Sequence, residues 1–195
     1  MKVHPITRRT FLGTVGAAAA AGLMPRRAAA RVAANEKITI AMVGCGGMGS
    51  RHIEALAVND NCNLAAVCDV YIPRFLAAQK TTEELSGKKP DVYQDFRRIL
   101  ERNDIDAVLF ATPDHWHPLQ TILSCEAGKD VYVEKPACTT VEEGRAMVNA
   151  ARRYGAVVQV GTQQRSMPLF QEAIDIIHSG RLGVITSATA WIGIN

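Results

Sequence analysis

Long apolar runs are missing from this 195-residue chain, and none reaches the roughly 18–20 residues that a membrane-crossing helix needs. Aromatic residues make up only 6% of it. Its five cysteines (Cys45, Cys62, Cys68, Cys125, Cys138) are odd in number and contain no C-x-x-C pair, which excludes a disulfide scaffold and a zinc ribbon. Small core residues are the expected use for most of them. Acidic residues are absent from positions 1–34, where Lys2, Arg8, Arg9, Arg26, Arg27 and Arg31 lie. The formal charge of +3 therefore belongs to the N-terminal segment, because the remainder carries 16 basic against 19 acidic side chains. A basic nucleic-acid-binding surface is not expected, and no nucleic-acid partner is assigned. What is present is 48% hydrophobic and 21% charged, the balance of a globular chain.

The segment 1–34 reads as a leader to be set aside before fold reasoning. Thr7-Arg8-Arg9-Thr10-Phe11-Leu12-Gly13 precedes a soft apolar stretch from Phe11 to Met24 and then Ala28-Ala29-Ala30. Paired arginines, a weakly apolar core and an A-x-A site in that order predict a twin-arginine export signal. Cleavage is expected after Ala30, with Ala34 as the second candidate. The expected partner is the twin-arginine export machinery, and the expected destination is the periplasm. That route carries folded proteins, so any cofactor would be collected before export.

From Lys37 onward short apolar runs alternate with helical patterns. Strands are expected at 37–43, 64–68, 90–93, 106–111, 130–133 and 156–160. Helices are expected at 48–58, 72–85, 96–102 and 117–127, and from a Thr139 or Thr140 cap to Tyr154. Near-continuous apolar strands separated by helices imply a parallel sheet buried on both faces, hence an α/β, doubly wound, Rossmann-type fold over 35–161. Beyond Gly161 the rhythm changes. A helix over 169–179 and a strand over 184–191 read as the beginning of a truncated C-terminal α/β domain, 162–195.

Four strand ends carry the chemistry. Gly44-Cys45-Gly46-Gly47-Met48-Gly49 is a G-x-G-x-x-G between a strand and a helix. In that setting Gly44 permits the tight turn, Gly46 lets the backbone approach a pyrophosphate, and Gly49 allows close helix packing. Met48 opens the helix and joins the cofactor-binding set. Asp69 follows the second strand, 20 residues past Gly49, where a carboxylate can bind ribose hydroxyls and repel a 2′-phosphate. NAD is therefore favoured, while Arg74 nearby keeps NADP open. The same glycine turn also suits a methyl-donor nucleotide.

The loop Thr112-Pro113-Asp114-His115-Trp116-His117-Pro118 follows the fourth strand. In a doubly wound sheet it lines the ligand crevice. His115 and His117 stand two apart with no third ligand, a poor metal pattern, so no metal is assigned. His117 either points toward the nicotinamide side or caps its helix. After the fifth strand, Glu134-Lys135-Pro136 is either a plain surface turn or a lysine facing the same crevice. There Lys135 could bond a substrate hydroxyl or take part in proton transfer.

Gly44–Gly49, Asp69, the Thr112–His117 loop and Glu134-Lys135-Pro136, with Val160–Arg165 and Ser179–Gly183, together resemble the glucose-fructose oxidoreductase/inositol dehydrogenase (Gfo/Idh/MocA) family over roughly 36–195. The resemblance implies a Rossmann domain followed by a larger C-terminal domain. It implies hydride transfer between NAD(P) and hydroxyls of sugars, inositols or related polyols. It makes Lys135 the catalytic-site lysine with Glu134 in support, and puts His117 in the catalytic set near the nicotinamide. Gly44, Gly46, Met48, Gly49, Asp69, Thr112, Pro113, His117, Glu134 and Lys135 then form the cofactor site. Members also place an Asp and a His or Tyr in the C-terminal domain, and no residue here takes those roles. Asp175 and His178 only mimic such a pair. The alternative is an NAD-binding fragment that turns nothing over. A full-length homo-oligomer is expected.

Overall fold

A computed structural model describes residues 37–191. The leader assigned to 1–34 lies outside the described residues. Six strands form one sheet: β1 (Ile38–Val43), β2 (Cys62–Cys68), β3 (Asp91–Tyr93), β4 (Ala107–Phe110), β5 (Asp130–Glu134) and β6 (Val158–Gly161). Their order is β3-β2-β1-β4-β5-β6, and all pairings are parallel. The helices are α1 (Gly47–Ala57), α2 (Ile72–Ser86), α3 (Arg97–Leu100), α4 (His117–Glu126), α5 (Val141–Tyr154) and α6 (Pro168–His178). This is the expected doubly wound fold.

Both faces of the sheet are buried because the central strands are apolar on both faces. On one face Ala41, Val43, Ala66, Val108, Phe110, Val131 and Val133 pack with Ile99, Cys125, Met147 and Ala150 of α3, α4 and α5. On the other, Met42, Leu64, Val67 and Leu109 pack against Ile53 of α1 and Phe75 and Ala78 of α2. Leu64 and Val67 share a face although three residues apart. A bulge between the Ile40–Leu64 and Ala41–Ala66 pairs makes Ala65 the extra residue. Helix ends follow local chemistry. Thr140 accepts the Glu143 amide while Glu143 reaches back, a capping box that starts α5. The Thr139 hydroxyl and the Thr139 and Thr140 amides hold the Glu143 carboxyl below its ordinary range. Gly155, at φ 64, ends the same helix in the left-handed region.

Two expectations change. The helix expected over 96–102 is the single turn Arg97–Leu100. The strand expected over 184–191 does not form. A strand is held by a neighbour's ladder, and here no pairing partner is present among the described residues, leaving Val184, Ile185 and Trp191 exposed. The chain winds from β1 outward to β3, then returns to β4 and continues the other way. That reversal opens a crevice at the carboxyl ends of β1 and β4.

Candidate functional site

The glycine turn is set by what its missing side chains would strike. Gly44 sits at φ 89, and a Cβ there would lie 2.6 Å from the carbonyl oxygen of Ala111, at the end of β4. A Cβ on Gly49 would lie 1.8 Å from the Gly44 carbonyl oxygen, so α1 can start against the turn only with glycine at that position. Gly46 is different. Only the Arg74 guanidinium comes within 4 Å of the equivalent point, at 3.6 Å. Gly44 and Gly49 thus answer the turn and the packing, and Gly46 leaves its side of the turn open apart from Arg74.

Asp69 does more than await a sugar. It is 7% exposed. One carboxylate oxygen accepts the Cys45 amide at 2.8 Å and the other accepts the Tyr71 amide at 2.9 Å. The acid therefore ties the end of β2 to the glycine turn. Each oxygen keeps a second acceptor position for a ribose hydroxyl. Burial, then the Asp69 charge, pushes the Cys45 thiol up to about 12, so Cys45 is a neutral filler beneath the turn.

A cavity of about 460 Å³ opens over these strand ends, within the range of small-molecule sites. Gly44, Gly46, Asp69, Thr112 and Pro113 line it, as expected. Val70, Arg74, Gln94, Phe96, Arg97 and Trp116 are also in the wall. Of these, Arg74 and Trp116 are the ones that sequence position puts near the site, Trp116 as part of the loop after β4. The strand-end rule, extended to β3, reaches Gln94–Arg97 as well. Met48, His117, Glu134 and Lys135 do not line the cavity.

His117 is instead 1% exposed. Its Nδ1 lies 2.7 Å from the Pro136 carbonyl oxygen and its Nε2 lies 2.9 Å from that of Thr112. Both ring nitrogens therefore face backbone acceptors, and neither is turned toward a substrate. Its position is that of a strut between the loop after β4 and the loop after β5. Those loops carry Thr112-Pro113 and Lys135-Pro136. Lys135 is exposed, and among the described residues its ammonium makes no ion pair. Glu134 is 4% exposed and accepts the Lys135 amide at 3.2 Å.

The residues fit a dinucleotide. Backbone at Gly46 faces the cavity without a side chain of its own, Asp69 offers free acceptor positions, and the wall is largely apolar with Arg74 and Arg97 at hand.

Comparison with known proteins agrees. The chain is 32% identical over 158 residues to the rhizopine catabolism protein MocA of Rhizobium meliloti, covering 80% of this chain and 47% of that one. It is 30% identical over 175 residues to a glycosyl hydrolase family 109 protein of a Shewanella species, covering 77% and 38%. The chain thus spans less than half the length of these curated relatives. Among solved structures, a scyllo-inositol dehydrogenase from Lactobacillus casei with bound NAD(H) and scyllo-inositol superposes with a TM-score of 0.71 at 27% identity, covering 77% of this chain and 44% of that one. The WlbA dehydrogenase from Bordetella pertussis, in complex with NADH and UDP-GlcNAcA, gives 0.66 at 32% identity, covering 76% and 44%. Residues 38–162 match the oxidoreductase family with an NAD-binding Rossmann fold, and the chain belongs to that family, Gfo/Idh/MocA.

Proposed function

We propose that this chain is the coenzyme-binding part of an NAD-dependent oxidoreductase acting on a hydroxyl of a sugar, inositol or related polyol. The observation that carries the reading is the joining of two strand ends. His117 sits between the carbonyl oxygens of Thr112 and Pro136, which sets the loop that bears Lys135 against the loop that walls a cavity of dinucleotide size. Gly44, Gly46, Asp69, Thr112 and Pro113 hold the coenzyme. When bound, the nicotinamide supplies the hydride acceptor or donor. Lys135 bonds the substrate hydroxyl and exchanges its proton as the carbonyl forms or is reduced. His117 positions that loop and does not itself touch substrate. Relatives crystallised with scyllo-inositol and with a sugar nucleotide support the polyhydroxylated substrate class.

Titration of NADH into the purified chain tests the coenzyme part, with Trp116 in the cavity wall as a fluorescence reporter. Quenching that saturates, and that Asp69→Ala weakens at least tenfold, is expected; no saturable binding overturns the reading. Turnover of a polyol panel, lost in Lys135→Ala with NADH binding kept, is expected of the enzyme. Binding without turnover of any member is the outcome for a coenzyme-binding piece alone.

Residues 1–34 support export by the twin-arginine route with the coenzyme already bound, destined for the periplasm. Fusion of 1–34 to a folded reporter should give periplasmic signal that Arg8→Lys with Arg9→Lys abolishes. Signal unchanged by that pair contradicts the assignment.

A further inference from the structure

A second cluster stands beside the cavity and is not used by the chemistry above. Glu134, the last residue of β5, is a buried carboxylate that does not line the cavity and, among the described residues, pairs with no lysine or arginine side chain. Three donors converge on it. His52, from α1, places Nε2 2.7 Å from Oε1. Gln163, from the turn after β6, donates its amide to the same oxygen. The Lys135 amide donates to Oε2. Tyr132, two residues earlier on β5, sets its ring edge-on to His52 at 5.5 Å between centroids. Burial, then the Glu134 charge, raises the Tyr132 phenol, opposed by a bond from Gln163. Gly161 leaves room for all of this: a Cβ there would meet the Tyr132 hydroxyl at 2.7 Å and Glu134 Oε1 at 3.0 Å.

A buried carboxylate is an expensive way to fill space, since apolar residues of similar volume usually do it at no cost in stability. What a carboxylate adds is direction, because its two oxygens fix the donors around them. Two of those donors come from elements 82 and 29 residues away, and the third is the backbone of the lysine itself. We infer that His52 and Gln163 are positioning residues for Lys135: by holding the Glu134 carboxylate from two sides, they fix the backbone from which the lysine reaches the crevice. This rests on the role of Lys135 proposed above. An ionised carboxylate can only accept, so the His52 contact is a donation from Nε2.

The test compares His52→Leu, Gln163→Leu and His52→Gln, the last keeping a donor. Amide hydrogen exchange of the 133–137 segment is followed by mass spectrometry, with exchange of β1 as the internal reference. Exchange at 133–137 should rise at least tenfold in His52→Leu and in Gln163→Leu, with β1 unchanged, and return to within threefold of wild type in His52→Gln. In parallel, the Kd for NADH should stay within threefold throughout. In the active enzyme, kcat should fall at least tenfold in the two leucine variants with KM within threefold. Unchanged exchange at 133–137, an equal rise across the whole chain, or no recovery in His52→Gln overturns the inference. Local exchange that behaves as stated in a protein that neither binds NADH nor turns over any polyol upholds the positioning of the lysine backbone and refutes the proposed reaction instead. Should His52→Leu not fold, Gln163→Leu, on the turn after β6, carries the same reading alone.

Discussion

Gly49→Ala and Gly47→Ala differ by two positions in one glycine-rich turn, and the structure separates them sharply. At Gly49 the added methyl would lie 1.8 Å from the Gly44 carbonyl oxygen and 2.8 Å from its carbon. An ordinary carbon–oxygen contact is about 3.3 Å or longer, so α1 and the turn must part by about 1.5 Å. The obstacle is backbone, held by the Gly44 amide bonded to the Cys68 carbonyl at 2.8 Å and by Asp69 gripping the Cys45 amide. Neither can swing aside as a side chain would. Overpacking of this kind costs 1–3 kcal/mol, and a rigid obstacle puts Gly49→Ala at about 3 kcal/mol. At Gly47 nothing lies within 4 Å of the new methyl, and the backbone is already helical. There alanine should be neutral or stabilise by about 0.5–1 kcal/mol. Urea unfolding followed by circular dichroism measures both, and NADH titration should show Gly49→Ala binding at least tenfold more weakly. A Gly49→Ala protein as stable as wild type, or a Gly47→Ala protein equally damaged, would refute the close-packing argument.

Alkaline stability offers a second check. Burial raises Cys45 and Cys68 from 9.0 to about 12, so above pH 9 the unfolded chain releases protons that the folded chain retains. Stability therefore falls as pH rises between about 9 and 12, by at most about 1.4 kcal/mol per pH unit for each thiol. Urea midpoints at pH 8–10.5 should show that slope, and Cys45→Ala should flatten it; a slope unaltered by that change contradicts the assignment. For the same reason iodoacetamide at pH 8.5 should label the partly exposed Cys62 and Cys138 before Cys45 or Cys68, and mass mapping that finds Cys45 first counts against a buried neutral thiol. His117→Ala removes the ring that stands between the two crevice loops and should lower kcat at least tenfold, more than it lowers NADH affinity; an unaffected kcat removes the strut from the mechanism. On the proposed role of Asp69 at the ribose hydroxyls, NADPH should bind at least tenfold more weakly than NADH; equal affinities transfer the choice to Arg74.

Much of this architecture was legible because a parallel sheet covered on both faces demands near-continuous apolar strands, and β1, β4 and the middle of β5 are such runs. The glycine spacing was equally readable, since each glycine answers a steric demand. The bulge at Ala65 was not, because a strand apolar on both sides shows no alternation to break. The strand expected at 184–191 failed because alternation describes one face of a ribbon and says nothing of a neighbour to pair with. Thr112, Pro113 and Asp69 fell where the strand-end rule places them, whereas His117 turned inward because its two carbonyl partners, Thr112 and Pro136, belong to different loops. The His52–Glu134–Gln163 cluster left no local trace. Its members sit in three separate motifs, and only folding brings them to one carboxylate.

Asp69 carries a lesson for anyone wishing to retool coenzyme preference. The acid that would greet the sugar is also the clasp closing the phosphate bend, through Cys45 on one side and Tyr71 on the other. Exchanging it for a neutral residue to welcome a triphosphorylated dinucleotide unfastens the bend in the same stroke. Reprogramming should begin instead along Val70–Arg74, on the rim, where the clasp is left shut.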